Sequence, residues 1–119
     1  MENDKSANLT IEALPDTQPP LVKVISPNGG EILKVGDWVT IMWKSLDNVE
    51  IVEHRVRISR QGQNGTFAPI VKGLDGDDMS YDWQVTGPGT SKAVIQVVAF
   101  DAAGNRGFDN SDTPFIIQP

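Results

Sequence analysis

The chain has 119 residues, a net charge of −6 and no cysteine. That length suits one domain with a modest core, the missing cysteines exclude disulfides and thiolate metal sites, and the acidic balance argues against a basic nucleic-acid surface. No window holds the 18 or more continuous apolar residues of a membrane helix, which argues against membrane insertion. The first twenty residues, MENDKSANLTIEALPDTQPP, contain no aromatic side chain, set Glu2, Asp4, Glu12 and Asp16 against Lys5 alone, and end in Pro19-Pro20. They predict a flexible, acidic, Pro-containing linker over 1–20. The N-terminus shows none of the charged start, apolar centre and small-residue cleavage site of a secretory signal.

From residue 21 the pattern changes. Short alternating or apolar runs recur, each bounded by Gly, Pro, Asp or Asn, and no segment keeps helical periodicity without a Gly or Pro interrupting it. Val22 to Ser26 is an apolar run before the turn PNGG, and Asp37 to Trp43 alternates with Val39, Ile41 and Trp43 on one face. Ile51 to Arg60 places His54, Val56 and Ile58 on one side and Arg55, Arg57 and Ser59 on the other. Thr66 to Val71 contains Pro69, which assigns it to a sheet edge. Met79 to Val85 carries Tyr81, Trp83 and Val85 in phase, Lys92 to Asp101 is the strongest run, and Thr113 to Gln118 closes with Phe115 and Ile117. The connections QGQNG, LDGDD, TGPGT and DAAGN have turn chemistry, in which glycine supplies positive φ and Asp and Asn bond their own backbone. Seven short strands with no room for crossover helices predict an all-β, seven-stranded antiparallel β-sandwich over 21–119. In a sandwich Trp43 spans the gap between sheets, and Trp83 has the same phase on a neighbouring strand.

The ordered set VISPNGGEILKVGDWVTIMW, RVRIS, YDWQV, VIQVVAFDAAGNRGFDNSD and FII resembles the bacterial immunoglobulin-like and fibronectin type III-like modules found between other domains of large surface or secreted proteins. The likeness spans roughly residues 21 to 118. It implies an immunoglobulin-like or fibronectin type III-like sandwich in an extracellular or cell-surface setting, with neighbouring domains or another protein as partners. The function it implies is that of a non-catalytic spacer or adhesion module. Two alternatives come from other classes: a carbohydrate-binding module whose exposed aromatics contact polysaccharide, and an accessory domain of a secreted enzyme whose active site lies elsewhere.

Few residues carry chemistry. His54 is the single histidine, without an identifiable catalytic partner, and is expected at the sandwich margin. Asp101, Asn105, Asp109 and Asp112 bracket the last hairpin and are the calcium candidates, with Asp75, Asp77 and Asp78 crowding another loop; their spacing is not that of an EF-hand, and the same residues make ordinary turns. The sequence therefore predicts no enzyme and no required cofactor. Trp38 falls out of phase with Val39, Ile41 and Trp43, so it projects outward as a possible sugar contact; Phe67 and Phe108 are expected in or near loops. If Ala93, Ile95, Val97 and Ala99 point inward, Val94, Val98 and Phe100 point outward beside Arg55 and Arg57. Those five residues form the candidate interaction face. NLT at Asn8 and NGT at Asn64 fit the N-glycosylation pattern, a three-residue match common by chance.

Overall fold

The computed structural model describes residues 17–119; residues 1–16, and with them most of the expected linker and Asn8, lie outside the described residues. Nine strands occur among the described residues: β1 (Leu21–Ser26), β2 (Ile32–Lys34), β3 (Trp38–Leu46), β4 (Ile51–Ser59), β5 (Phe67–Asp75), β6 (Ser80–Gln84), β7 (Thr90–Asp101), β8 (Arg106–Asn110) and β9 (Phe115–Gln118). One sheet runs β1-β3-β6. The other runs β2-β9-β7-β4-β5, with β8 also paired to β7. All pairings are antiparallel except β2 with β9.

Seven of these strands correspond to the runs predicted from sequence. The two additions are short. β2 is a three-residue strand that pairs with β9 just after the PNGG turn. β8, RGFDN, is rich in turn-forming residues and pairs with the second half of β7, while β9 pairs with the first half. Ser111 bridges the gap between them: its Oγ receives the Ile95 N–H at 3.0 Å and donates to the Pro27 carbonyl at 2.7 Å.

The core follows from alternation. Val24, Ile41, Trp43, Trp83 and Val85 from the smaller sheet meet Val56, Ile58, Ala93, Ile95, Val97, Phe115 and Ile117 from the larger, all buried. Trp43 is 1 % exposed. Trp83 does lie on the strand beside it, but its cross-strand partner is Val39; the Trp43 ring instead meets His54 of the opposite sheet, with centroids 5.4 Å apart.

His54 is a correction. Expected at the margin, it is 0 % exposed, because two polar groups come to meet it. Its Nδ1 donates to the Asp75 carbonyl at 2.9 Å, and its Nε2 shares a 2.7 Å hydrogen bond with Ser45 Oγ. A carbonyl can only accept, so Nδ1 carries a proton and, in the neutral ring, Nε2 accepts from the Ser45 hydroxyl. Buried imidazole is tolerated where both nitrogens are bonded in this way.

The PNGGE turn is anchored to the chain after β8. Glu31 receives the N–H groups of Asn28 and Gly29 at 2.9 and 2.8 Å, while Asn28 exchanges side-chain and backbone bonds with Asp112. Gly29 has φ +144°, and a Cβ there would collide with Thr113 Oγ1, so both conformation and space demand glycine. At the other end of the molecule Pro20 is buried and its carbonyl lies where a Cβ on Gly107 would be. Pro20, the last residue of the expected 1–20 linker, thus packs against β8.

Candidate functional site

The outer face of the larger sheet is built by side chains that alternate away from the core on β5, β4, β7 and β8. Arg55 on β4 is held on two sides: Nε donates to Glu53 Oε2 at 2.9 Å, and the guanidinium carbon lies 4.6 Å from the Phe100 ring centroid. Such a cation over a ring face is attracted by the ring quadrupole. The same contact holds the Glu53 carboxyl below the usual carboxylate range, chiefly through the Arg55 hydrogen bond, opposed by burial and helped by the Gly73 N–H. The Arg57 guanidinium makes no hydrogen bond or ion pair among the described residues. It lines a shallow hollow of about 180 Å³ with Gln96, Val98, Arg106 and Phe108, and a second of about 390 Å³ with Arg55, Phe67, Pro69, Val71 and Lys72.

Two members of the expected interaction face are not surface residues. Val94 is 0 % and Val98 5 % exposed. The loop after β4 folds back toward β7: Gly62 donates its N–H to the Lys92 carbonyl, Ser59 Oγ donates to the Gly62 carbonyl, and Gln63 bonds both Ser111 and Asn110. This brings the loop to the end of the sheet that carries Ser59 and its register partner Val94. Phe108 takes the place of these valines. It is 61 % exposed and stands on β8 opposite Val98, not in a loop; Phe67 likewise begins β5. Sequence reasoning missed β8 because Gly107, Asp109 and Asn110 read as turn. The signal was Phe108 at strand spacing from Arg106.

The calcium candidates are put to other uses. Asp101 Oδ1 receives the Ala103 and Asn105 N–H groups at 3.0 and 2.8 Å, capping the β7–β8 turn. Asp109 Oδ2 receives the Val24 N–H at 2.8 Å and so ties the sheets together. Asp112 bonds Asn28 and lies 3.6 Å from Lys23 Nζ. Asp101 and Asp112 also sit toward opposite ends of β7, and no group of three metal-ligating side chains occurs among the described residues. Asp75 and Asp78 close their own turn, each bonding the other's residue.

Trp38 projects from the smaller sheet, 70 % exposed, as its phase predicts. It borders a groove of about 450 Å³ between β6 and β5, the strands whose outer edges are unpaired among the described residues. The groove is lined by Ile58, Arg60, Ala68, Pro69, Ile70, Tyr81, Asp82, Trp83, Gln84 and Thr86 as well. Arg60 closes one end, donating to the Pro88 carbonyl at 2.7 Å and to Thr86 Oγ1 at 2.8 Å.

The described residues thus form a small all-β sandwich of two packed sheets. No family model matches the sequence, and no curated protein matches it. Among solved structures, the chain is similar to one from Clostridium thermocellum described as CbhA fibronectin(III)-like modules. The TM-score is 0.59 at 13 % identity, covering 82 % of this chain and 96 % of that one. The fold is therefore that of a fibronectin type III-like β-sandwich, as the sequence resemblance implied.

Proposed function

We propose that the protein is a non-catalytic spacer and interaction module of a larger extracellular protein. The observation that carries this reading is the path of the chain through the sandwich. The described chain enters β1 at Leu21, paired with Leu46 at one end of β3, and leaves β9 at Gln118, paired with Lys34 just before the opposite end of β3. Flanking segments are thus held apart by about 30 Å, the length of a nine-residue strand at about 3.3 Å per residue. The fold supports an immunoglobulin-like order in which β8 and β9 share the work of one final strand. His54, the usual candidate for acid-base chemistry, is sealed in the core and out of reach of a substrate.

The interaction role falls to the outer face of the larger sheet, where Arg106 and Phe108 join Arg55, Arg57 and Phe100 in place of the buried Val94 and Val98. An exposed phenylalanine among arginines is the composition enriched at protein interfaces. The test uses the intact parent polypeptide. Deleting the module is expected to shorten its maximum dimension in small-angle scattering by roughly 30 Å, and an unchanged dimension overturns the spacer reading. Phe108→Lys, which leaves the core untouched, is expected to loosen packing against the adjoining domain. Indifference of the scattering profile to that change removes the interaction role.

A further inference from the structure

We propose that the groove between β6 and β5 binds a neutral oligosaccharide chain, with Trp38 as the stacking platform. A spacer has no need of this groove. Its volume, about 450 Å³, falls within the roughly 300–1,000 Å³ of small-molecule sites. Sugar rings offer apolar faces bordered by hydroxyls, and they are met by an aromatic plane bordered by donors and acceptors. Trp38 supplies the plane. Asp82 accepts from Thr40 Oγ1 through Oδ1 at 2.8 Å, leaving Oδ2 as an acceptor. Gln84 has only a long 3.4 Å bond from Nε2 to the Gly36 carbonyl, leaving Oε1.

Trp83 is the second observation. Trp83 is 5 % exposed and lines the groove. Among the described residues its indole N–H has no protein acceptor, and it is not sealed away, because the one sealed, unpaired side-chain polar atom is Trp43 Nε1. A nearly buried indole on the groove lining therefore carries an N–H without a hydrogen-bond acceptor among the described residues.

Charge and backbone select the ligand class. The groove's one arginine is already engaged by Pro88 and Thr86, and its one carboxylate offsets that charge, so neither an anionic nor a cationic chain is favoured. The two strand edges that flank it are poor templates for a peptide. β5 contains Pro69, which lacks an N–H, and is bulged against β4 near Val56; β6 is five residues long with Asp82 at its centre. Proline, bulges, short length and charge all discourage strand addition.

The test titrates the 119-residue chain with cellohexaose, xylohexaose, mannohexaose and laminarihexaose by calorimetry and tryptophan emission, with polygalacturonate and an extended-peptide library as contrasting probes. At least one neutral hexasaccharide is expected to bind. Trp38→Ala should weaken it by about tenfold or more, as loss of a stacking platform does, and Gln84→Ala by a smaller factor, both with unchanged melting temperature. Phe108→Ala, on the other sheet, should change nothing. No binding by any neutral chain at millimolar concentration overturns the proposal. So does binding indifferent to Trp38→Ala, and so does binding by peptide or polygalacturonate alone. None of these outcomes bears on the spacer reading, which is measured separately in the parent protein.

Discussion

Two tryptophans five residues apart on one strand have opposite fates, and period-2 alternation is the reason. Trp43 points inward and is 1 % exposed, whereas Trp38 points outward and is 70 % exposed. Trp43→Ala is expected to destabilise the protein by about 3–5 kcal/mol through lost burial and a residual cavity, and Trp38→Ala by within about 0.5 kcal/mol. Urea unfolding of the two variants checks this, and equal midpoints would contradict it. Ser111→Ala tests a different mechanism. It leaves the Ile95 N–H without its side-chain acceptor and the Pro27 carbonyl without its donor, both in a buried site, at an expected cost of about 1–3 kcal/mol. A midpoint within error of the parent would show that neighbouring groups relax to satisfy both. The phase of each tryptophan was legible from one strand alone. The environment of His54 was not, because its partners, Ser45 and the Asp75 carbonyl, come from β3 and β5, and nothing in the run Ile51 to Arg60 announces them.

At the scale of elements, strands with strong alternation were found and strands made of turn formers were not. β8 exists because β7 is twelve residues long and β9 pairs with only its first half, leaving a stretch of edge that Arg106–Asn110 fills. That is a tertiary demand which overrides the weak propensity of RGFDN for strand. The candidate face suffered from the same omission, since without β8 there is no Phe108 on it, and the loop near Val94 could not be foreseen from strand phase. Between β4 and β5 the pairing is bulged, and Glu53 spans the irregularity: its Oε2 receives both Arg55 Nε–H and the Gly73 N–H at 2.9 Å, while its Oε1 receives Arg55 Nη2 at 3.2 Å. Because the folded carboxyl is held below its ordinary value, mainly by the Arg55 hydrogen bond, its contribution to stability is present above the unfolded pKa of about 4.3 and is lost as pH falls through the folded value. The stability difference between the parent and Glu53→Gln should therefore be constant at neutral pH and shrink below about pH 4.3. Denaturant titrations at several pH values measure it. A difference that stays the same, or grows, in acid would contradict the assignment.

For the whole molecule, charge and chain path act together. Asp47 and Glu50 of the β3–β4 connection, Asp75 at the end of β5, and Asp77 and Asp78 of the β5–β6 connection gather at the end where the chain enters, since Ile51 pairs with Asp101 and Glu53 with Asp75 there. Residues 1–16 carry four more acids against one lysine and precede that same end. Like charges repel, and among the described residues every side chain of the core cluster belongs to residue 22 or later. Removing residues 1–16 is therefore expected to leave the melting temperature within about 3 °C of the full chain, given that 0.5 kcal/mol corresponds to roughly 2–4 °C in a domain near 100 residues. Removing residues 1–20 should cost visibly more, because Pro20 is buried and its carbonyl packs against Gly107. Calorimetry on the two truncations separates the boundaries. A large drop for the shorter truncation would show that the first sixteen residues pack on the sandwich, and equal drops for both would remove Pro20 from the folded unit.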